Sequence, residues 1–260
     1  MPTFYRDHRG VTNSDEILTA VKRNQLFGMV EVDIHVPENL YNTFDRMCPL
    51  FGNTEVNFAD IGETMQDFAE QHGLLNKPRR LLVGGMAAKR MLLSTDLLKW
   101  CLDHGLEVDF VHQVVEYTPV ACFRSFVDDV TQARRDGDID LELKVIADTM
   151  KLIGNSSYGS VIMAKEKFRD VKYFGDVWRA QLAINDPAFY GMDELGDELF
   201  EITMAKRKIR LDLPIQIGFQ ILQLAKQRML EFYYDCLAKR FDSARFDLIE
   251  MDTDSNYFAI

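Results

Sequence analysis

The longest helical run in the chain, LPIQIGFQILQLAKQRMLEFYYDCLAKRF, leads into two short strand-like runs, FDLIEM and NYFAI. Between those runs stands Asp252-Thr253-Asp254-Ser255. Pro214 suits the first turn of the helix, where a missing N–H costs nothing. Asp, Thr and Ser are turn formers, so the four residues read as the tip of a hairpin. Residues i and i+2 of an extended chain face the same way, so Asp252 and Asp254 are expected to turn both carboxylates into one cleft. Such a pair suits a hard divalent cation such as magnesium, which takes oxygen ligands and keeps several waters. A merely solvated turn would carry the same four letters.

Upstream, GMVEVDIHV (28–36) reads as a strand ended by Pro37. FADIGETMQDFAEQHG reads as a helix capped by Asp60 and stopped by Gly73. NKPRRLLVGGM reads as a turn and a strand, STDLLKWCLDHG as a helix closed by Gly105, and LEVDFVHQVVEY as an alternating strand. Helical stretches at about 121–135 and 140–156 are joined by Asp-Gly-Asp, with Gly137 free to take an unusual backbone angle. Residues 160–212 mix strand candidates with the breaker-rich NDPAFYGMDELGDE and read as an inserted subdomain.

KLIGNSSYG (151–159) reads as the end of a helix. Lys151 and Asn155 are four apart and share a face, and Lys144 and Asp148 fall on the same side. That face offers a cation and an amide to an anion. Tyr158 and Gly159 are expected to end the helix, with Gly159 permitting close approach. A solvated helix face with an ordinary glycine stop is the equal alternative.

Together, Lys-x-x-x-Asn-Ser-x-Tyr-Gly followed by Asp-Thr-Asp-Ser resembles motifs B and C of the family B DNA polymerases. KRMLLSTDLLKWCLDHGLEVDFVHQVVEY resembles the strand–helix–strand of the palm that precedes the fingers. The short fingers hairpin resembles the protein-primed branch, found in viruses, linear plasmids and large DNA transposons. The resemblance implies an α+β fold: a palm of antiparallel sheet with helices plus short two-helix fingers, incomplete. The segments implied are 1–84 before the fingers, 85–118 palm, 119–159 fingers, 160–211 inserted subdomain, and 212–260 palm helix with the acidic hairpin.

By resemblance, Asp254 ligates the catalytic metals and Asp252 is its companion. Lys151 contacts the phosphates of the incoming nucleotide, and Asn155 shares its surface. Tyr158 packs below the nascent base pair and sugar, and Gly159 allows that packing. Arg134 corresponds more loosely to a phosphate-binding residue, and Lys144 follows from helical spacing alone. The implied activity is magnesium-dependent, two-metal addition of deoxynucleotides to a primer 3′-hydroxyl. The implied partners are a DNA primer–template, deoxynucleoside triphosphates and a terminal protein. The alternative is a catalytically dead relic that only binds nucleotide or DNA.

The family's motif A, Asp-x-x-Ser-Leu-Tyr-Pro-Ser, is not found, and it is expected upstream of residue 1, with the thumb beyond residue 260. The expectation is therefore a fragment, inactive in primer extension by itself. Glu250 stands where the family usually has Tyr, and Lys226 falls where many members have Ala-Arg.

A net charge of −11 argues against a non-specific coat for nucleic acid, although a local basic channel remains open. AKRKIR (Lys206, Arg207, Lys208, Arg210) reads either as a nucleic-acid contact or as a charged edge strand. Four scattered cysteines read as free thiols, and the five histidines show no metal-ligand spacing. Neither a secretory leader nor a membrane-spanning run is read, so the expected location is intracellular, with nucleus, cytoplasm and mitochondrion not distinguished. A soluble α/β domain of unrelated role is the third reading.

Overall fold

The computed structural model of the chain describes residues 5–9, 14–74, 77–242, 245–252 and 255–259. Its elements run β1 (Tyr5–Arg9), α1 (Ser14–Lys22), β2 (Gly28–His35), α2 (Tyr41–Phe44), β3 (Leu50–Val56), α3 (Glu63–Gln71), β4 (Arg79–Gly85), β5 (Ala87–Ser94), α4 (Thr95–Asp103) and β6 (Glu107–Tyr117). They continue with α5 (Arg124–Ile139), α6 (Lys144–Val161), β7 (Arg169–Phe174), α7 (Val177–Ile184), β8 (Phe189–Gly196), β9 (Leu199–Ala205) and α8 (Ile215–Leu230). A π-helical stretch, Glu231–Leu237, joins α8 to α9 (Ala238–Arg240), and β10 (Asp247–Asp252) and β11 (Ser255–Ala259) follow. The fold mixes helices with sheets whose pairings are all antiparallel among the described residues, as in α+β chains. The chain divides into two units, one of Met1–Cys122 with Gln220–Ile260 and one of Phe123–Phe219.

In the first unit, four strands pair in the order β1-β6-β2-β5. Alternation along β2 explains the sheet's two faces. Val30, Val32 and Ile34 are buried, whereas Glu31 and His35 are half-buried on the opposite face. Asp33 lies on that polar face too, accepting from the Arg90 backbone N–H at 2.7 Å and pairing with His112 at 2.8 Å. Ser94 caps α4 by accepting from the Leu97 N–H at 3.3 Å, and Gly105, at φ +87°, turns the chain away after it. The helix buries Leu97, Leu98, Trp100 and Cys101 in the core.

The same core takes Met229, Leu230, Tyr233 and Tyr234 from the end of α8 and the π-helical stretch. Phe44 meets Tyr234 and Trp100 edge-on, and the Tyr234 hydroxyl donates to the Met47 carbonyl. Asp235, in the π-helical stretch, accepts from Trp100 Nε1 at 3.2 Å and from Lys239 at 2.7 Å, and faces His104 Nε2 at 3.1 Å. Burial pushes the Asp235 carboxyl up, but these partners outweigh it and hold the group below its ordinary value. Phe246, Leu248, Met251 and Phe258 seat the β10–β11 hairpin against this core.

The sequence expectations at Asp60 and Gly137 fail locally. Asp60 does not cap α3: it accepts from the Asn57 N–H at 2.7 Å and closes a short turn before the helix, and Gly62 stands at the cap position. Gly137 is not in a turn either. It lies within α5, and the chain reverses at Asp140–Leu143, where the Asp140 carboxylate accepts from the Glu142 N–H at 2.9 Å.

The second unit contains the α5–α6 hairpin and a small sheet ordered β7-β9-β8. Ala180, Ile202 and Met204 form a core there, with Phe174, Phe189 and Phe200 packed on it. The aspartate at position 176 caps α7 through the Arg179 N–H at 2.7 Å.

Candidate functional site

Two contacts fix the register of α5 against α6. A Cβ built on Gly137 would lie 2.3 Å from the Ala147 Cβ, and one on Gly154 would lie 3.3 Å from Val130 Cγ1. Small residues at 137, 147 and 154 thus let the backbones approach. This register sets Arg134 level with Met150 and Lys151.

The side follows from the same contacts. Lys151 comes four residues after Ala147, and Arg134 four after Val130. In antiparallel right-handed helices, residues displaced in the same sense from the seam leave it on the same side. Arg134, Lys151, Asn155 and Lys144 therefore share one side of the hairpin, and all four are exposed. Phe126, Ala133, Ile146, Met150 and Ile153 occupy the other, apolar side by the same spacing. Lys144 pairs with Asp148 at 3.7 Å, so its ammonium is partly engaged. Lys151 and Arg134 have no ion-pair partner among the described residues. By the same spacing two carboxylates share this side, Asp148 three residues before Lys151 and Asp138 four after Arg134, and Asp148 is the partner of Lys144. A guanidinium, an ammonium and an amide so disposed suit phosphate oxygens.

Tyr158 lies near the seam, half-buried. Gly159 does not end the helix, because α6 runs on to Val161 and the Ile162 N–H bonds back to the Gly159 carbonyl at 3.3 Å. Open space lies where a Cβ of Gly159 would stand, so a side-chain-free surface is what this glycine supplies.

In the first unit, β10 and β11 pair antiparallel, and Asp252 opposes Ser255 at the end of the ladder. Two residues, Thr253 and Asp254, therefore connect the strands. Asp254 and the direction of the Asp252 carboxylate lie outside the described residues. A register shift between Leu248 and Glu250 leaves Glu250 opposite Tyr257, with Glu250 exposed. Among the described residues, no group of three or more His, Cys, Asp or Glu is arranged to hold a metal ion. No described helix is long and apolar enough to cross a membrane.

Lys226 points into the first unit, with its ammonium 4.5 Å from the Phe51 ring centre. Burial pushes its pKa down to about 8, and the nearby Cys101 opposes that only weakly. Burial drives the Cys101 thiol up to about 12, and all four cysteines are free.

Three histidines read from the sequence as ordinary each face a distant carboxylate: His104 faces Asp235, His112 faces Asp33 and His35 faces Asp109. The partners lie 131, 79 and 74 residues away in sequence, which is why spacing did not reveal them. Sequence reasoning also passed over Lys172, which meets Lys206, Arg207 and Lys208 around one cavity. No local signal revealed it: Lys172 pairs with Ile202 of β9, three rungs from the Arg169–Ala205 pair after which 206–208 emerge, and that register exists only in the folded sheet.

Comparison of the chain with protein-family models, with curated proteins and with solved structures found no match.

Proposed function

We propose that the chain is the palm and fingers portion of a template-directed DNA polymerase of the family B type, in the protein-primed branch. The observation that carries this reading is the α5–α6 hairpin, whose exposed polar side groups Arg134, Lys151 and Asn155. These are the residues that the motif resemblance assigns to the incoming nucleotide. The tight β10–β11 hairpin ending at Asp252 adds support, since the resemblance requires an acidic turn between two antiparallel strands.

In this reading Lys151 and Arg134 hold the triphosphate through charge-assisted hydrogen bonds. Tyr158 bounds the sugar, and Gly159 leaves room for the base pair. A hard cation fits the carboxylate chemistry of the hairpin tip, where Asp252 and Asp254 would hold magnesium together with substrate phosphates. When bound, that ion supplies a more acidic primer hydroxyl and charge compensation for the leaving pyrophosphate. The chain's own residues position the phosphates and neutralise their charge. DNA primer–template and deoxynucleoside triphosphates are the ligands, and a terminal protein is the further partner of this branch.

The test is equilibrium binding of a fluorescent deoxynucleoside triphosphate to the purified chain. Lys151→Ala removes a charge-assisted hydrogen bond and should weaken binding about tenfold or more. An unchanged Kd in that variant, or no binding by the wild type, would sink the proposal.

A further inference from the structure

The small sheet of the second unit carries a cavity of about 630 Å³. Its lining includes four cationic residues, Lys172, Lys206, Arg207 and Lys208. Two carboxylates, Asp170 and Asp186, face them, so cations outnumber acids in a protein whose net charge is −11.

The charges divide into two sets. Arg207 pairs with Asp186, whose carboxylate also accepts from the Ala188 N–H at 2.8 Å. That backbone bond first, with Arg207 and Lys172 adding to it, holds the Asp186 carboxyl below its ordinary value against desolvation. Lys206 lies 3.7 Å from Asp170. These two pairs brace the segment after β9 to the sheet. Lys172 and Lys208 have no carboxylate within ion-pair reach among the described residues, although Lys172 feels the field of Asp186. The two acids are thus engaged by the braces, and the ammonium groups of Lys172 and Lys208 remain to meet an anion from outside.

We propose that this cavity is a second phosphate-binding site that seats the linked phosphates of a nucleic-acid strand. None of its lining residues belongs to α5 or α6, so it differs from the nucleotide-binding side of the hairpin. Its volume lies in the range of small-ligand clefts and accommodates more than one phosphate group. Side chains around a concavity track a flexible single-strand backbone, and their contacts are sequence-independent because every phosphate is alike. The polymerase reading supplies the identity of the polyanion; the existence of an anion site does not depend on it.

The experiment measures binding of a labelled oligothymidylate of twenty nucleotides to the full chain by fluorescence anisotropy, across a range of salt concentrations and without nucleotide. The double variant Lys172→Ala/Lys208→Ala leaves both braces intact. It should weaken binding by about fivefold or more and flatten the plot of log K against log salt by about 1.4, or about 0.7 for each phosphate no longer neutralised. Lys167→Ala, an exposed lysine without an ion pair and outside the cavity, is the control for general charge and should leave both unchanged. Inorganic tripolyphosphate as competitor separates the two sources of linked phosphates. Displacement of the oligonucleotide only at far higher phosphate concentration supports a strand site, and equally tight tripolyphosphate overturns it. Equal slopes for the double variant and wild type, or an equal effect of Lys167→Ala, would also overturn the site. If Lys151→Ala leaves nucleotide affinity intact while the double variant loses oligonucleotide affinity, the polymerase reading fails and the cavity stands.

Discussion

Replacing Gly137 by alanine should separate α5 from α6. The added Cβ would lie 2.3 Å from the Ala147 Cβ and 3.2 Å from the Leu143 carbonyl oxygen. Carbon atoms in contact prefer roughly 3.5–4.0 Å, so the helices must move apart by more than about 1 Å locally. Overpacking of that kind costs about 1–3 kcal/mol. Alanine returns up to about 1 kcal/mol of helix propensity. With the full return of propensity, the net expectation is a loss of up to about 2 kcal/mol in the local stability of the hairpin. Native-state hydrogen exchange of the α5 and α6 amides is the suitable assay, because it reads this element separately from the first unit. Moving the methyl across the seam, as Gly137→Ala/Ala147→Gly, should restore most of the loss, since propensity is then exchanged and the closest clash is gone. A Gly137→Ala variant with protection equal to or above wild type would refute the packing argument. So would a double variant less stable than the single.

Lys226→Met should stabilise the first unit by about 1–3 kcal/mol at neutral pH. The wild-type amine has a folded value of about 8 against 10.5 unfolded. A base held low charges at a cost that is fully present below the folded value and gone above the unfolded one. Wild-type stability should therefore rise between pH 8 and 10.5, and urea titrations of the variant should lack that rise. Asp235→Ala strips the acceptor from Trp100, His104 and Lys239 and should cost about 2–3 kcal/mol in the same titrations. Because the Asp235 value is lowered from 3.8, its contribution is present above that pH and fades as pH falls through the lower folded value. A variant that loses no stability at neutral pH would exclude the network as a support.

The elements most legible in the sequence were those with local signals. STDLLKWCLDHG announced α4 through its Gly105 stop, which appears in the structure at φ +87°. The Asp-Thr-Asp-Ser turn announced the β10–β11 ladder, and the strands pair up to Asp252 and Ser255. Glycines misled where conformation and packing make the same demand for a missing side chain. Gly137 read as a turn residue, yet it serves the approach of two helices, which depends on Ala147 and has no local signature. Gly159 read as a helix stop, but nothing there asks for a left-handed backbone, and α6 continues. The π-helical stretch was not read from the sequence, and the partners of its Asp235, Trp100 and His104, lie more than a hundred residues away, out of reach of local patterning. The common side of Arg134 and Lys151 needed the register of two helices, which only their packing against each other supplies.

The split composition of the first unit bears on how the chain is made. Its core cannot close until Met229, Leu230, Tyr233 and Tyr234 have joined strands from the first 122 residues. During synthesis those early strands must wait, their apolar faces uncovered, while Phe123–Phe219 emerges as a contiguous piece able to acquire structure first. A nascent chain in which Phe123–Phe219 has cleared the ribosome but Gln220–Ile260 has not would thus be sticky in its earlier part while the later piece takes shape, the stage at which a chaperone has most to protect.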